Sequence, residues 1–338
     1  MTRFTRRCGK LVAAVLAGGM ILATPATAIA EPAADAVAGT PAADSAVAFP
    51  TETMTGCDDV QTWAKLVECA GNTAQDTIVT VTAPIVADKD ATVNVTKTIG
   101  LTTKLDGPTP VLTSADGDTT GQLFDVKSGG KLIVGADAND KFTYGGTKDK
   151  TATRRFARIE ENGVMQVNGG TFRYLTVNDL PETVSKQNET AAVALNMGGT
   201  LLVSGGTFDH IDTGSAGATG VFSNNGGTVT IDDGTFKNNT GVRGSVLSDM
   251  DVTGANSSTV TINGGTFESN HTSYAGGVAY LTNTGKTDGK YEGVYKVTGG
   301  TFVGHPRWRD PFRRQFDGFR RHIHGQCCEG QWRRCPVQ

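Results

Sequence analysis

Histidine and cysteine are scarce in the body of this 338-residue chain. Between residues 31 and 303 the histidines are His210 and His271, and the cysteines are Cys57 and Cys69. No histidine or further cysteine lies near that cysteine pair, so a structural zinc site is not expected there. No Ser-His-Asp, Gly-x-Ser-x-Gly, phosphate-loop or His-Glu-x-x-His phrase occurs, and calcium-binding nonapeptide repeats are missing. These absences exclude the hydrolases and nucleotide-binding proteins that such phrases define. They leave a glycosidase open, because its two carboxylates need no fixed spacing. Basic charge is lacking as well. The whole chain is −3, while residues 1–30 carry +4 and residues 304–338 carry +5, which leaves −12 on residues 31–303. An acidic body repels phosphate backbones, so nucleic acid is not an expected partner.

What is abundant is one repeated phrase: a β-branched residue, a small polar residue, then Gly-Gly-Thr-Phe. It reads Val167-Asn168-Gly169-Gly170-Thr171-Phe172 and returns as Val203-Ser204-Gly205-Gly206-Thr207-Phe208. The third copy, Ile231-Asp232-Asp233-Gly234-Thr235-Phe236, has Asp for the first Gly. Ile262-Asn263-Gly264-Gly265-Thr266-Phe267 and Val297-Thr298-Gly299-Gly300-Thr301-Phe302 complete the series. Periods of roughly 20–50 residues mark stacked-coil architectures. Val, Ile, Thr and Phe favour strands, and a Gly pair permits a sharp corner between two of them. Each coil is expected to turn its Val or Ile and its Phe inward, lining a continuous core. Phe236-x-x-Asn239 and Phe267-x-x-Asn270 add polar turns, where Asn239 and Asn270 are expected to hydrogen-bond one another along a ladder.

The phrase resembles the repeats of the right-handed parallel β-helix of pectin-lyase-like proteins. It is more similar still to repeat regions of bacterial surface proteins, including chlamydial polymorphic membrane proteins and large actinobacterial surface proteins. Those families often show Gly-Gly-Ala-Ile and Phe-x-x-Asn phrases, to which Ala275-Gly276-Gly277-Val278 and the two Asn phrases above come closest here. The resemblance covers roughly residues 75–303. It implies an all-β solenoid and either an inert or binding surface or a polysaccharide-cleaving enzyme.

Residues 1–30 read as an export signal: Arg3, Arg6, Arg7 and Lys10, then apolar Leu11 to Ala23, then Ala28-Ile29-Ala30 before Glu31. The apolar run is short for a membrane span. Residues 31–50 read as a flexible Ala- and Pro-rich leader. Residues 51–76 read as an N-terminal cap. There Val60, Trp63, Leu66 and Val67 fall at helical spacing after a possible helix cap at Asp58 or Asp59. Cys57 and Cys69 flank that helix, and in an exported protein a local disulfide is expected, the alternative being free or otherwise paired thiols. Residues 77–150 hold short alternating strands that suit early rungs of a β-helix nearly as well as a sandwich; the repeats downstream decide for 77–303 as one solenoid. Polar loops at 178–190, 212–219 and 284–289 are expected to protrude and carry function.

At residue 304 the composition breaks. Residues 304–338 contain eight Arg but no Lys, Thr, Ser, Ala, Leu or Asn. Read one base later, Trp308-Arg309 gives Gly at the join, Arg309-Asp310 can give Ala, and Asp310-Pro311 must give Ile or Thr. A Gly-Gly-Ala-Ile phrase is therefore available where the next coil belongs. The expectation is a one-base shift close to codons 302–305, a disordered out-of-frame tail, and a chain that is part of a longer surface protein. The cluster His322, His324, Cys327, Cys328 and Cys335 then is no metal site, and the Arg pairs are no nucleic-acid patch.

Pectate-lyase-like enzymes use clustered carboxylates, often with calcium, and a basic Arg or Lys. By residue type the candidates are Asp209, His210 and Asp212, which could form an acid–base set, and Asp233. The pairs Asp58-Asp59 and Asp232-Asp233 are candidates by type as well, although Asp232-Asp233 sit where Asp is a good turn former. Arg154, Arg155 and Arg158, with Glu160 and Glu161, are expected to be exposed charges on an early coil. No cofactor is implied. The function expected is an exported, cell-surface β-helix that presents loops and a flat face as a stalk or adhesin-like surface to glycans or surface proteins. The alternative is a pectin-lyase-like polysaccharide lyase or glycoside hydrolase.

Overall fold

A computed structural model describes residues 46–104, 109–119, 121–177, 190–213, 220–249, 258–281 and 293–304. The export signal, most of the leader, nearly all of the expected protruding loops and the tail from residue 305 lie outside the described residues. The described chain is a parallel β-solenoid of about six turns with one short helix.

Three faces run along it. Face one stacks β1 (Thr77–Val81), β4 (Thr98–Thr103), β7 (Lys131–Val134), β10 (Val164–Val167), the first parts of β13 (Thr200–Asp212) and β15 (Thr228–Lys237), β18 (Thr259–Ile262) and β22 (Val294–Val297). Face two stacks β2 (Ile85–Val86), β5 (Val111–Thr113), β8 (Thr143–Gly145), β11 (Thr171–Thr176), the second parts of β13 and β15, β19 (Thr266–Glu268) and β23 (Thr301–Val303). Face three stacks β3 (Val93–Val95), β6 (Gln122–Val126), β9 (Arg155–Ile159), β12 (Ala194–Asn196), β14 (Phe222–Asn224), β17 (Leu247–Asp249) and β21 (Ala279–Leu281). A short fourth side, β16 (Thr240–Arg243) on β20 (His271–Ala275), comes after face two in the later coils.

The repeated phrase sets the register. Thr171, Thr207, Thr235, Thr266 and Thr301 pair coil on coil, and so do the phenylalanines next to them. From Phe172 to Phe302 the rings stack 4.7–5.2 Å apart, with planes within 3–7° of parallel. Each buried Phe contributes roughly 1.5–3 kcal/mol by burial, and each ring pair about 0.5–1.5 kcal/mol more. An earlier member lacks the phrase: Thr143-Tyr144 pairs with Thr171-Phe172. Its corner is longer than a Gly pair and is held by Asp140, which accepts from Phe142 N (2.8 Å) and Ala136 N (3.0 Å).

The two glycines do different work. A Cβ on Gly169 would lie 2.1 Å from the Asp137 carbonyl oxygen of the coil before, so the close approach of backbones forbids a side chain. Gly170 has φ +88°, a region that glycine adopts without steric cost. Gly205, Gly264 and Gly299 repeat the first situation, and Gly206, Gly234, Gly265 and Gly300 the second. Where Asp233 replaces the first glycine, the pairing of β13 with β15 shifts register.

The N-terminal end is covered by α1 (Trp63–Ala70), which buries Trp63, Leu66, Cys69 and Ala70 and packs on β1 and β3. Its N-cap is Thr62, whose side chain accepts from Lys65 N; Asp58 and Asp59 lie too far upstream. Val60, expected on the helix, instead bridges Val81 in parallel. Cys57 and Cys69 are joined as a disulfide with Cα atoms 5.8 Å apart. The leader's last residues are not loose. Val47 exchanges two hydrogen bonds with the Gln166 side chain (2.7 and 3.1 Å), and a Cβ on Gly100 would meet the Phe49 ring at 2.6 Å.

Candidate functional site

The outer columns of face two carry the candidate residues. After each Phe comes a residue in one column: Arg173, Asp209, Lys237 and Glu268 pair in that order, alternating in sign. The next residue turns the corner in the left-handed region: Tyr174 (φ 51°), His210 (54°), Asn238 (56°) and Ser269 (52°). Non-glycine residues there cost about 1 kcal/mol or more each, so the neighbouring structure must hold them. In the later coils the next Asn along does so. Asn239 Nδ2 donates to Phe208 O (3.0 Å) while its Oδ1 accepts from Ile211 N (3.1 Å). Asn270 does the same one coil on, to Phe236 O (2.9 Å) and from Asn239 N (3.0 Å).

These two asparagines therefore clamp the backbone of the coil before, and the expected side-chain ladder between them is corrected. Side-chain ladders occur elsewhere. At the end of face three, Asn196 Nδ2 donates to Asn224 Oδ1 (2.8 Å), Asn224 Nδ2 to Asp249 Oδ1 (3.0 Å), and the Tyr295 hydroxyl to Asp249 Oδ2 (2.6 Å). At the Gly-Gly corner the small polar residues of the phrase interact across coils, with Ser204 on Asn168 (3.0 Å), Asn263 on Asp232 (2.7 Å) and Thr298 on Asn263 (2.7 Å).

At the face-two corner Asp209 and His210 meet. His210 Nδ1 lies 2.6 Å from Asp209 Oδ1, Asn238 Nδ2 donates to the same oxygen (3.1 Å), and Lys237 Nζ stands 3.5 Å from Oδ2. The His210 ring stacks on Tyr174 with centroids 5.0 Å apart and is half exposed. The carboxylate thus orients the imidazole, and the half-exposed His210 ring with the Tyr174 ring stacked on it lies at the surface of the coil. Such a set can accept or donate one hydrogen bond to a hydroxyl and offer a ring face for stacking. Asp212 is on the same edge, pairing with Thr176 and Thr240. Asp233 is not part of this group. It stands at the other end of the face-two strand, where its Oδ1 accepts from Gly234 N (2.7 Å), as a turn former does. Sequence reasoning missed Tyr174, Lys237 and Asn238, although each stands one or two residues after a Phe, the offset that already marked Asp209 and His210.

The arginines of the early coil need correction. Arg154 and Arg155 are buried, not exposed. Arg154 Nη1 pairs with buried Asp118 at 3.0 Å and Nη2 donates to Thr92 Oγ1 at 3.0 Å, which ties three loops together. Arg155 Nε donates to Ala191 O (3.0 Å). Arg158 stays at the surface, 3.8 Å from Glu160. Lys127 lies between Asp125 (2.7 Å) and Glu160 (2.9 Å), and hydrogen bonds first to Asp125 and then to Glu160 raise its pKa above the usual lysine value.

Among the described residues no group of three or more His, Cys, Asp or Glu is placed to hold a metal ion, and no helix is long and apolar enough to cross a membrane. Comparison with known proteins returned no match: no family model, no curated protein and no solved structure matches this chain.

Proposed function

We propose that the chain is the solenoid part of an exported, cell-surface protein that works as an adhesin-like binding surface, with glycans as the first class of partner. The observation that carries this is the face-two edge. Side chains recur there coil after coil at matching positions: paired threonines, a column of alternating charges, and a corner column that includes the Tyr174–His210 stack. A repetitive surface of hydroxyls, charges and aromatic faces suits a repetitive ligand. The Cys57–Cys69 disulfide supports the export part of the proposal, since such bonds persist in oxidising compartments. A longer parent protein is part of the same proposal. In the last described coil Val294, Val297, Phe302 and Val303 are exposed apolar side chains that a further coil of the repeat would cover.

A second reading is a polysaccharide lyase or glycosidase, favoured by the Asp209–His210 contact. A polysaccharide panel decides between them. Retained glycan without new reducing ends or ultraviolet-absorbing unsaturated sugars supports the binding surface. Turnover that is lost in Asp209→Ala supports the enzyme. Resequencing the gene through codons 295–340 and beyond tests the parent protein: Gly-Gly repeats in the shifted frame support it, and an unbroken present frame removes it.

A further inference from the structure

The outer side of face one carries a built surface of its own. One column of positions runs Ile78, Gly100, Ile133, Gln166 and Leu202, each pairing with the next, coil on coil. Ile133 is fully buried, yet it is Leu132 and Val134 on either side of it that join the core. Alternation along the strand therefore turns Ile133 outward, and a cover must lie on it from outside. That cover is the segment just before the N-terminal cap. Val47 and Phe49 are half-buried while Ala46 and Ala48 are exposed, the period of an extended chain. The segment crosses the strands instead of running with them. It meets Gln166 on one side of Ile133 and Gly100 on the other.

The contact has the parts of peptide recognition, in which main-chain hydrogen bonds hold the backbone and pockets take alternate side chains. Gln166 reads the main chain: its Oε1 accepts from Val47 N at 2.7 Å and its Nε2 donates to Val47 O at 3.1 Å. Gly100 is the pocket. It has no positive φ, so its conformation does not call for glycine. The three atoms nearest to a Cβ built there, at 2.6–3.0 Å, all belong to the Phe49 ring, so the missing side chain makes room for that ring. The segment is held but not sealed down. A cleft of about 580 Å³ is lined by residues 47–52 with Asp76, Thr98 and Lys131. On the cap side Glu52 O accepts from Ile78 N (2.8 Å) and Met54 N donates to Thr77 Oγ1 (2.7 Å). Behind these bonds the chain is fixed covalently at Cys57, in the disulfide to Cys69 of α1.

We infer that residues 46–52 are an exchangeable arm, and that their groove on face one, built from Gly100, Ile133 and Gln166, also accepts the arm of a second copy of this chain. The partner is a second copy because the peptide seated in the groove is this chain's own Val47-Ala48-Phe49-Pro50. Each contact that the arm makes within one molecule is made again between two, and exchange of an identical element is a low-cost route to a dimer. What favours the closed monomer is the tether, whose effective concentration is on the order of millimolar for a short linker. Pairing therefore sets in where copies are crowded, and it joins them through face one. The inference is independent of the glycan proposal, since no residue of the face-two corner takes part.

The test separates arm from groove in the full chain. Phe49→Ala keeps the groove and removes the ring of the arm, whereas Gly100→Leu keeps the arm and fills the notch. Each variant alone lacks one half of the contact and is expected to stay monomeric in analytical ultracentrifugation. Mixed in equal amounts, the two are expected to pair, with a species of twice the mass appearing as concentration rises to about a millimolar. Circular dichroism and melting establish that both fold. A second measurement uses Phe49→Ala alone. A synthetic peptide of residues 46–54 is expected to raise its melting temperature, as a ligand of the folded state does, and the same peptide carrying Phe49→Ala is not. The inference is overturned by a mixture of folded variants that stays monomeric, by Gly100→Leu associating with itself as strongly as the mixture does, or by a folded Phe49→Ala protein whose melting the peptide leaves unchanged.

Discussion

Phe208 and Phe236 are 28 residues apart in sequence, yet their rings lie 4.7 Å apart and within 5° of parallel. The contact is the unit from which the solenoid is built, because each ring covers the next and no ring is buried by its own coil alone.

Removing one ring from the middle of that column should therefore weaken two contacts at once. Phe236→Ala is expected to lower unfolding stability by about 3–5 kcal/mol, the range for a buried aromatic cut to Ala. Phe236→Leu should cost clearly less. Urea denaturation monitored by circular dichroism measures both; a negligible Phe236→Leu loss would mean that the ring stack contributes nothing beyond filled volume, and equal losses would mean that filled volume recovers nothing.

The glycine corners predict an asymmetry. A Cβ on Gly264 would sit 2.1 Å from the Asp232 carbonyl oxygen, so Gly264→Ala should cost about 1–3 kcal/mol through overpacking. Asp233→Gly, which restores the phrase at the one copy that departs from it, should be tolerated without loss. Thermal melting of the two variants side by side checks the pair.

Alkaline pH should destabilise the fold through two named groups. Burial raises the pKa of Tyr144, whose hydroxyl donates to Arg154 O, and the two carboxylates raise that of Lys127. Each folded-state pKa lies above its unfolded value, about 10 for Tyr and 10.4 for Lys. Their stabilisation is thus complete below pH about 10 and is lost as pH rises through the folded values. Melting temperature against pH from 8 to 11 should fall at the alkaline end, and Tyr144→Phe should flatten part of that fall.

The Arg154–Asp118 pair should behave as a buried charge pair. Arg154→Met leaves Asp118 without its guanidinium and is expected to cost about 3–5 kcal/mol, more than the double variant Arg154→Met with Asp118→Asn. A double-mutant cycle read by denaturation gives the coupling. Additive losses would place the effect of Arg154 in packing.

The sequence by itself determined the period, the register and the inward column. Gly-Gly-Thr-Phe is a local signal, because the corner needs both a missing side chain and a positive φ and only glycine supplies them. Each Phe therefore falls at the same point of its coil, and so do the threonines that pair coil on coil. The tertiary structure decided everything that depends on which coil lies next. Arg154 reads as a surface charge until Asp118 and Thr92, 36 and 62 residues away, close around it. Asn239 and Asn270 read as partners of one another until the left-handed corner of the preceding coil offers them unpaired backbone groups. Asp209 and His210 are neighbours in any reading, but Tyr174 and Lys237 reach them only because coils of different length return to one corner. Loop lengths change the spacing in sequence without changing the stacking in space, so no fixed interval along the chain could have placed those residues together.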